Sequence, residues 1–245
     1  QAPYAILEIT PNVIATQDQI SATFASSLMH EIRNPLAALS GYLELSLAQL
    51  PEEGTANVKD YLVRSMAEVE RLSRLTQDML WISRAWNIQP GWISLTELID
   101  RAWSIAIAVK KSDQQVVLNS SVPATQRIWA DSDRLLQVLI NAFKNAIEAL
   151  QDTPNAQIDV CVKDDDKEAV ICIQDNGPGI PQKILKHLFE RRQSTKAGGS
   201  GLGLWIVRLL MEAHRGHMAV RSNDHGAELC LQFPKPETSG IEAVM

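Results

Sequence analysis

Cysteine is scarce in this 245-residue chain. Cys161, Cys172 and Cys230 are odd in number and lack the spacing of a metal site. Each sits among apolar or alternating residues, so they read as reduced core thiols of an intracellular protein, not as a disulfide set or a zinc site. Basic residues are also in deficit: Lys and Arg total 23 against 29 Asp and Glu, a net charge of −6. That balance excludes broad binding to a nucleic-acid backbone, which needs a basic surface. Any nucleotide bound here is a small molecule in a pocket. No uncharged apolar run reaches the roughly 18 residues of a membrane span, and no signal peptide opens the chain. Internal repeats and low-complexity stretches are missing too. The first residue is Gln1 and not Met, which reads as a piece of something longer.

What the chain does have is core-forming material, with 45% hydrophobic and 21% charged residues. Its length suits two domains better than one. From Ile20, apolar residues recur at Phe24, Leu28, Ile32, Leu36, Leu39, Leu43 and Leu47 in helical steps. Pro51 and Gly54 break the pattern, and a second stripe follows at Val58, Leu62, Met66, Val69, Leu72, Met79 and Leu80. Two antiparallel helices cannot bury such stripes alone. A homodimeric four-helix bundle is the natural solution, and a hairpin folded onto a second domain is the alternative.

Pro90 and Gly91 mark a linker, and Ser94 to Glu97 form a capping box that opens a helix over 95–111. Strands are expected at 115–119, 127–130, 157–163, 168–174, 217–222 and 227–233, with helices at 132–150, 182–188 and 202–214. This mixture predicts an α/β sandwich, one helical layer on a mixed sheet. The residues from Pro234 on read as a loose tail. Trp81, Trp86, Trp92 and Trp103 gather near the linker and read as packing between domains.

His30 lies on the first helix roughly opposite the stripe of Leu28, Ile32, Pro35 and Leu39, with Asn34 on the same exposed face. An exposed imidazole is largely neutral at pH 7 and can be a nucleophile. Glu31 is close enough around the helix to fix its tautomer, and Pro35 predicts a local bend. Taken alone, His30 reads first as a surface residue.

Three further segments share one chemistry. Asn141 and Asn145 stand one turn apart on a helix among apolar neighbours. A neutral amide oxygen there suits Mg²⁺ when phosphates supply the charge; a local backbone cap by Asn145 is the lesser alternative. Asp175, Asn176, Gly177, Pro178, Gly179 and Ile180 follow an apolar strand. Asp175 could accept the exocyclic amine of adenine, or the segment could be only a turn. Thr195, Lys196, Gly199, Ser200, Gly201, Leu202 and Gly203 open an amphipathic helix, where backbone amides can face phosphate. Neither the Rossmann spacing nor a Walker loop fits.

Taken in order, these blocks resemble those of a bacterial sensor histidine kinase. There is an H box around His30, an N box at Asn141–Ala149, a G1 box at Asp175–Ile180, an F-type segment at Leu188 to Glu190 and a G2 box at Gly199–Leu204. The resemblance covers about residues 20–234 and extends to the sporulation-kinase type. It implies an α+β chain: a long antiparallel helical hairpin forming a dimeric four-helix bundle, then an α/β sandwich ATP-binding domain of the gyrase, chaperone and histidine-kinase superfamily. The implied boundaries are 1–19 for a linker from an upstream sensor region, 20–88 for dimerisation and phosphotransfer, 89–94 for a linker, 95–234 for the ATP-binding domain and 235–245 for a tail.

The resemblance also implies roles. His30 would take the γ-phosphoryl group of ATP, Glu31 would orient and deprotonate it, and Asn34 would position water for dephosphorylating a partner. Asn145 would hold Mg²⁺ beside Asn141, and Asp175 would read adenine with Gly177, Gly179 and Ile180 lining the pocket. Thr195, Lys196 and the stretch from Gly199 through Ser200, Gly201 and Leu202 to Gly203 would close over the triphosphate. Implied partners are a second copy of the chain, a response-regulator receiver domain and small protein inhibitors at the helical bundle, with no nucleic acid. The implied location is cytoplasmic, on a membrane-anchored parent.

The chain departs from the family pattern in places. Arg191, Arg192 and Gln193 stand where the family has Pro-Phe-Phe, which removes a hydrophobic anchor of the lid. The stretch from His225 to Glu228 keeps only a trace of the usual Gly-Thr. Asn141 stands where gyrase-like relatives carry a water-activating Glu, which suits transfer to His30 over hydrolysis. An ATPase with an unrelated helical module and a degenerate, scaffold-only kinase are the alternatives.

Overall fold

The computed structural model describes residues 5–9, 32, 35–46, 55–83, 87–108, 115–185 and 202–236. Two units emerge: a helical one within residues 12–83, and a second containing 1–11 and nearly all of the chain from Arg84 on.

The helical unit contributes α1 (35–46) and α2 (Thr55–Ser83). The 29 residues of α2 make a rod of about 44 Å at 1.5 Å per residue. Tyr42 of α1 stacks on Tyr61 of α2 with ring centroids 6.5 Å apart. Asp60 and Arg64 pair at 2.9 Å along the exposed face of α2, one turn apart. Much of the apolar stripe stays in water: Leu36, Leu43, Leu62, Met66 and Val69 are exposed, Met66 by 66%.

The second unit is built on a six-stranded mixed sheet. Its strands are β1 (Ala5–Ile9), β3 (Val117–Ser120), β5 (Gln157–Asp164), β6 (Glu168–Asp175), β7 (His217–Asn223) and β8 (Gly226–Pro234). They run in the order β1-β7-β8-β6-β5-β3, with only β3 and β5 parallel. A separate ribbon pairs β2 (Gly91–Ser94) with β4 (Arg127–Ala130). One layer of helices covers one sheet face: α3 (Leu95–Ala108), α4 (Ser132–Ala149) and α6 (Gly203–Ala213), with a single turn α5 (Gln182–Leu185) beside them.

Strand alternation sorts the residues of the sheet. Ile158, Val160, Ile171, Ile173, Leu231 and Phe233 point to the helices and are buried, whereas Asp159, Lys163 and Gln174 on the other face are exposed. Helix α4 runs between α3 and α6 and is buried nearly all round, which explains its almost continuous apolar sequence from Leu135 to Phe143. Ser94 caps α3 as its sequence predicts, its hydroxyl accepting the Glu97 N–H at 3.4 Å.

Helices and strands fall within a few residues of the expected ranges, with two additions. Residues 5–9, where the sequence pattern predicts no strand, pair antiparallel with β7, and the linker stretch 91–94 is a strand.

The cysteines differ from expectation. The sequence reads Cys172 and Cys230 as reduced thiols, yet they are joined in a disulfide. Their separation of 58 residues carries no signal, but strand register sets them directly opposite each other with Cα atoms 4.2 Å apart. Two of the tryptophans also differ. Trp92 packs edge-on against Trp129, and Trp103 against Phe143, so both contacts lie within the second unit and not between domains. Among the described residues no helix is long and apolar enough to cross a membrane.

Candidate functional site

Helix α4 is the spine of the site. Asp131 caps its start, Oδ1 accepting the N–H groups of Asp133 and Arg134 at 3.1 Å each. The other carboxylate oxygen accepts the Gln89 N–H at 2.7 Å and so fixes the incoming chain. The Asp131 N–H in turn donates to His214 Nε2 at 3.1 Å. His214 ends α6, and its Nδ1 lies 2.7 Å from the Leu210 carbonyl. Since Nε2 accepts, Nδ1 carries the proton. Burial holds the His214 pKa below the ordinary value, so the ring is neutral. One imidazole therefore ties the start of α4 to the end of α6.

Halfway along α4 the side chains of Asn141 and Asn145 carry buried Nδ2 atoms with no hydrogen-bond partner among the described residues. Buried amides are almost always satisfied, so two orphans on one face mark a place where a ligand supplies acceptors. Gly203, the first residue of α6, lies over Asn145: a Cβ at Gly203 would sit 3.7 Å from Asn145 Oδ1. Helix α6 starts there with no side-chain cap from its N-cap residue Leu202.

The loop after β6 closes against the other end of α4. A Cβ at Gly177 would meet the Ala149 carbonyl at 3.4 Å and Asp175 Oδ1 at 2.9 Å. Asp175 is buried. Its Oδ1 accepts the Gly177 N–H at 2.9 Å and the Ala227 N–H at 3.3 Å. No bond to Oδ2 is formed by the described residues, so this oxygen is placed for a donor on a ligand. Burial raises the Asp175 pKa and the two backbone donors oppose it.

Gly179 has φ +73°, and a Cβ there would lie 1.9 Å from the Asn223 carbonyl. Only glycine fits that crossing. Ile180 is held by its N–H donating to Ser222 Oγ at 2.6 Å.

The structure thus sets Gly203 beside Asn145, with Asn141 one turn away on α4, Gly177 against Asp175 and the far end of α4, and Gly179 and Ile180 against Asn223 and Ser222. The other expected positions, His30, Glu31, Asn34, Thr195, Lys196, Gly199, Ser200 and Gly201, lie outside the described residues. Sequence reasoning missed four contributors. Gly226 has φ +137°, and a Cβ there would strike the Asp175 carbonyl at 1.9 Å; Ala227 donates to Asp175. Ser222 and His214 act on partners far away in sequence. Only Gly226 had a local signal, as a glycine ending a tight turn after Asp224 and His225.

The family of histidine kinase-, DNA gyrase B-, and HSP90-like ATPases matches residues 130–237, and the His Kinase A (phospho-acceptor) domain matches residues 21–85. The chain belongs to the bacterial sensor histidine kinases.

Sporulation kinase A of Bacillus subtilis is 28% identical over 218 residues, covering 88% of this chain and 35% of that protein. The sensor histidine kinase ZraS of Klebsiella oxytoca is 32% identical over 200 residues, 81% of this chain and 42% of its own length. The chain therefore spans about a third to a half of the curated relatives it matches. Among solved structures, histidine kinase ThkA in complex with the response regulator TrrA has a TM-score of 0.70 at 21% identity, covering 93% of this chain and 66% of that one. AdeS of Acinetobacter baumannii has a TM-score of 0.63 at 20% identity, covering 84% and 97%. These two likenesses concern the fold. The chain thus joins a helical domain matching the phospho-acceptor family to an ATPase-type α/β domain, and the latter holds the site just described.

Proposed function

We propose that this chain is the catalytic portion of a two-component sensor: it binds Mg-ATP between α4 and α6, phosphorylates itself on His30 and passes the phosphoryl group to an aspartate of a response-regulator receiver domain. The observation that carries this reading is the pair of buried Nδ2 atoms of Asn141 and Asn145, without a partner among the described residues, with Asn145 beside the glycine start of α6. Asp175 Oδ2 would accept the adenine amine, with Gly177, Gly179 and Ile180 shaping the pocket. Thr195, Lys196, Gly199, Ser200 and Gly201 would cover the triphosphate, with Leu202 and Gly203 anchoring the segment on α6.

A single neutral oxygen from Asn145 suits Mg²⁺, which takes few protein ligands when phosphates complete its shell. Bound there, Mg²⁺ would neutralise charge on the phosphates. Glu31 takes the imidazole proton as a bond forms from a His30 nitrogen to the γ-phosphorus; the bond to the bridging oxygen breaks and ADP leaves. Asn141 offers no carboxylate to activate water, so transfer outruns hydrolysis. Asn34 positions water when the regulator is dephosphorylated.

The exposed stripe on α1 and α2 supports a homodimer, and the same bundle is the surface for the regulator and for small protein inhibitors. We place the chain in the cytoplasm, on a membrane-anchored parent.

Incubation with γ-labelled ATP and Mg²⁺ tests the reading. Label that is lost in acid, survives alkali and is lost in His30→Gln is expected. Label persisting in that variant would overturn the assignment of His30. Nucleotide binding without any label would favour a scaffold, and phosphate release without label an ATPase.

A further inference from the structure

The sheet face opposite the helices carries a second, unrelated constellation. Cys161 on β5 lies opposite Cys172 on β6, and Cys172 lies opposite Cys230 on β8. Every cysteine of the chain is therefore in one straight row across three neighbouring strands, all on the same face. Cys161 is partly exposed, and with Cys172 it lines a cleft of about 300 Å³ shared with Asp159, Gln174 and Glu228. Glu228 pairs with Arg221 at 3.4 Å, which offsets its charge beside the thiols.

Register decides what this row can do. The Cα separation of 4.2 Å between Cys172 and Cys230 is that of a narrow, non-hydrogen-bonded antiparallel pair. On the β5–β6 ladder the Asp165 N–H donates to the Glu168 carbonyl, and the alternation along that ladder makes Cys161 and Cys172 a wide, hydrogen-bonded pair, about 5.5 Å between Cα atoms. That separation lies within the range of Cα distances a disulfide usually spans. Cys172 can therefore bond to either neighbour. Displacement at sulfur proceeds with nucleophile, central sulfur and leaving sulfur in line, through attack of a thiolate on a disulfide. A row with Cys172 at its centre presents Cys161 on the side opposite Cys230, as that step requires.

We infer that Cys161, Cys172 and Cys230 form a thiol–disulfide exchange site, reached through the cleft by small thiols and disulfides of the glutathione class. In the internal step the Cys161 thiolate attacks Cys172 Sγ. The Cys161–Cys172 bond forms, the Cys172–Cys230 bond breaks, and Cys230 leaves as a thiolate that takes up the proton Cys161 gave. Nothing is oxidised or reduced overall. From the fully reduced row, one glutathione disulfide supplies the oxidation: it forms a mixed disulfide on Cys161, Cys172 displaces glutathione, and two glutathione molecules leave. Exchange at this site is independent of the kinase activity proposed above.

Thiol mapping on the whole chain tests it. The protein is equilibrated in buffers of reduced and oxidised glutathione and quenched in acid. Free thiols are blocked with one alkylating agent, and after reduction the remainder with a second; peptides are then identified by mass. In the wild-type chain the one free thiol should be divided between Cys161 and Cys230, with both populations detectable. Cys230→Ser should form Cys161–Cys172, and Cys161→Ser should keep Cys172–Cys230 only. If the wild-type free thiol is Cys161 alone at every buffer ratio, there is no exchange and the inference fails. It fails equally if Cys161 and Cys172 stay unjoined in Cys230→Ser. The wild-type measurement stands even where a variant does not fold.

Discussion

Asp175 carries much of the chemistry of the proposed nucleotide site. Its Oδ1 accepts the Gly177 and Ala227 amides, which hold the side chain, and Oδ2 is the oxygen proposed to meet adenine. Asp175→Ala should weaken nucleotide binding by about 1.5–3 kcal/mol, roughly tenfold to a hundredfold in Kd, the cost of one bond to a charged acceptor. Calorimetric titration with a non-hydrolysable ATP analogue checks it; an unchanged Kd would remove Asp175 from the adenine subsite. At this scale the sequence was partly legible. Asp175, Gly177 and Gly179 stood out only in the company of the other blocks, because a strand running into Asp-Asn-Gly-Pro-Gly is by itself more often just a turn. Gly226 was marked only as a turn glycine, because the Asp175 carbonyl that a Cβ there would strike belongs to another strand.

Between elements, His214 joins α6 to α4 through its bond from the Asp131 N–H. Burial lowers its pKa in the fold, so the unfolded chain binds the proton more readily. Stability from the neutral ring is fully present above the unfolded value near 6.5 and is lost as pH falls through it toward the lower folded value. Urea midpoints measured between about pH 7.5 and 5 should therefore decline, and His214→Gln should flatten that part of the decline. An identical slope in the variant would mean that other groups set it. The capping box at Ser94 was readable because cap and helix are neighbours in sequence. The His214 joint was not: its partner lies 83 residues away. Strand β1 was missed for the same reason, since its pairing with β7 spans nearly the whole chain.

At the scale of the whole molecule, the helical unit leaves Leu62, Met66 and Val69 of α2 exposed although they form one stripe. Exposed apolar surface of that extent points to a covering partner, and a second hairpin is the one proposed. Met66→Glu should shift the chain from dimer toward monomer in light scattering at micromolar concentration. A monomeric wild-type chain, or an unaffected dimer in the variant, would count against the bundle.

Periodicity, turn residues and the order of the H, N, G1 and G2 blocks were enough to determine the helical hairpin, the mixed α/β layer and the family, because each depends on residues close together in the chain. Tertiary structure alone decided which distant groups meet: Gly226 under Asp175, His214 on Asp131, and three widely separated cysteines in one row. The physical reason is register. Strand pairing converts a separation of 58 residues into 4.2 Å between Cα atoms, and no local pattern around Cys172 or Cys230 records it.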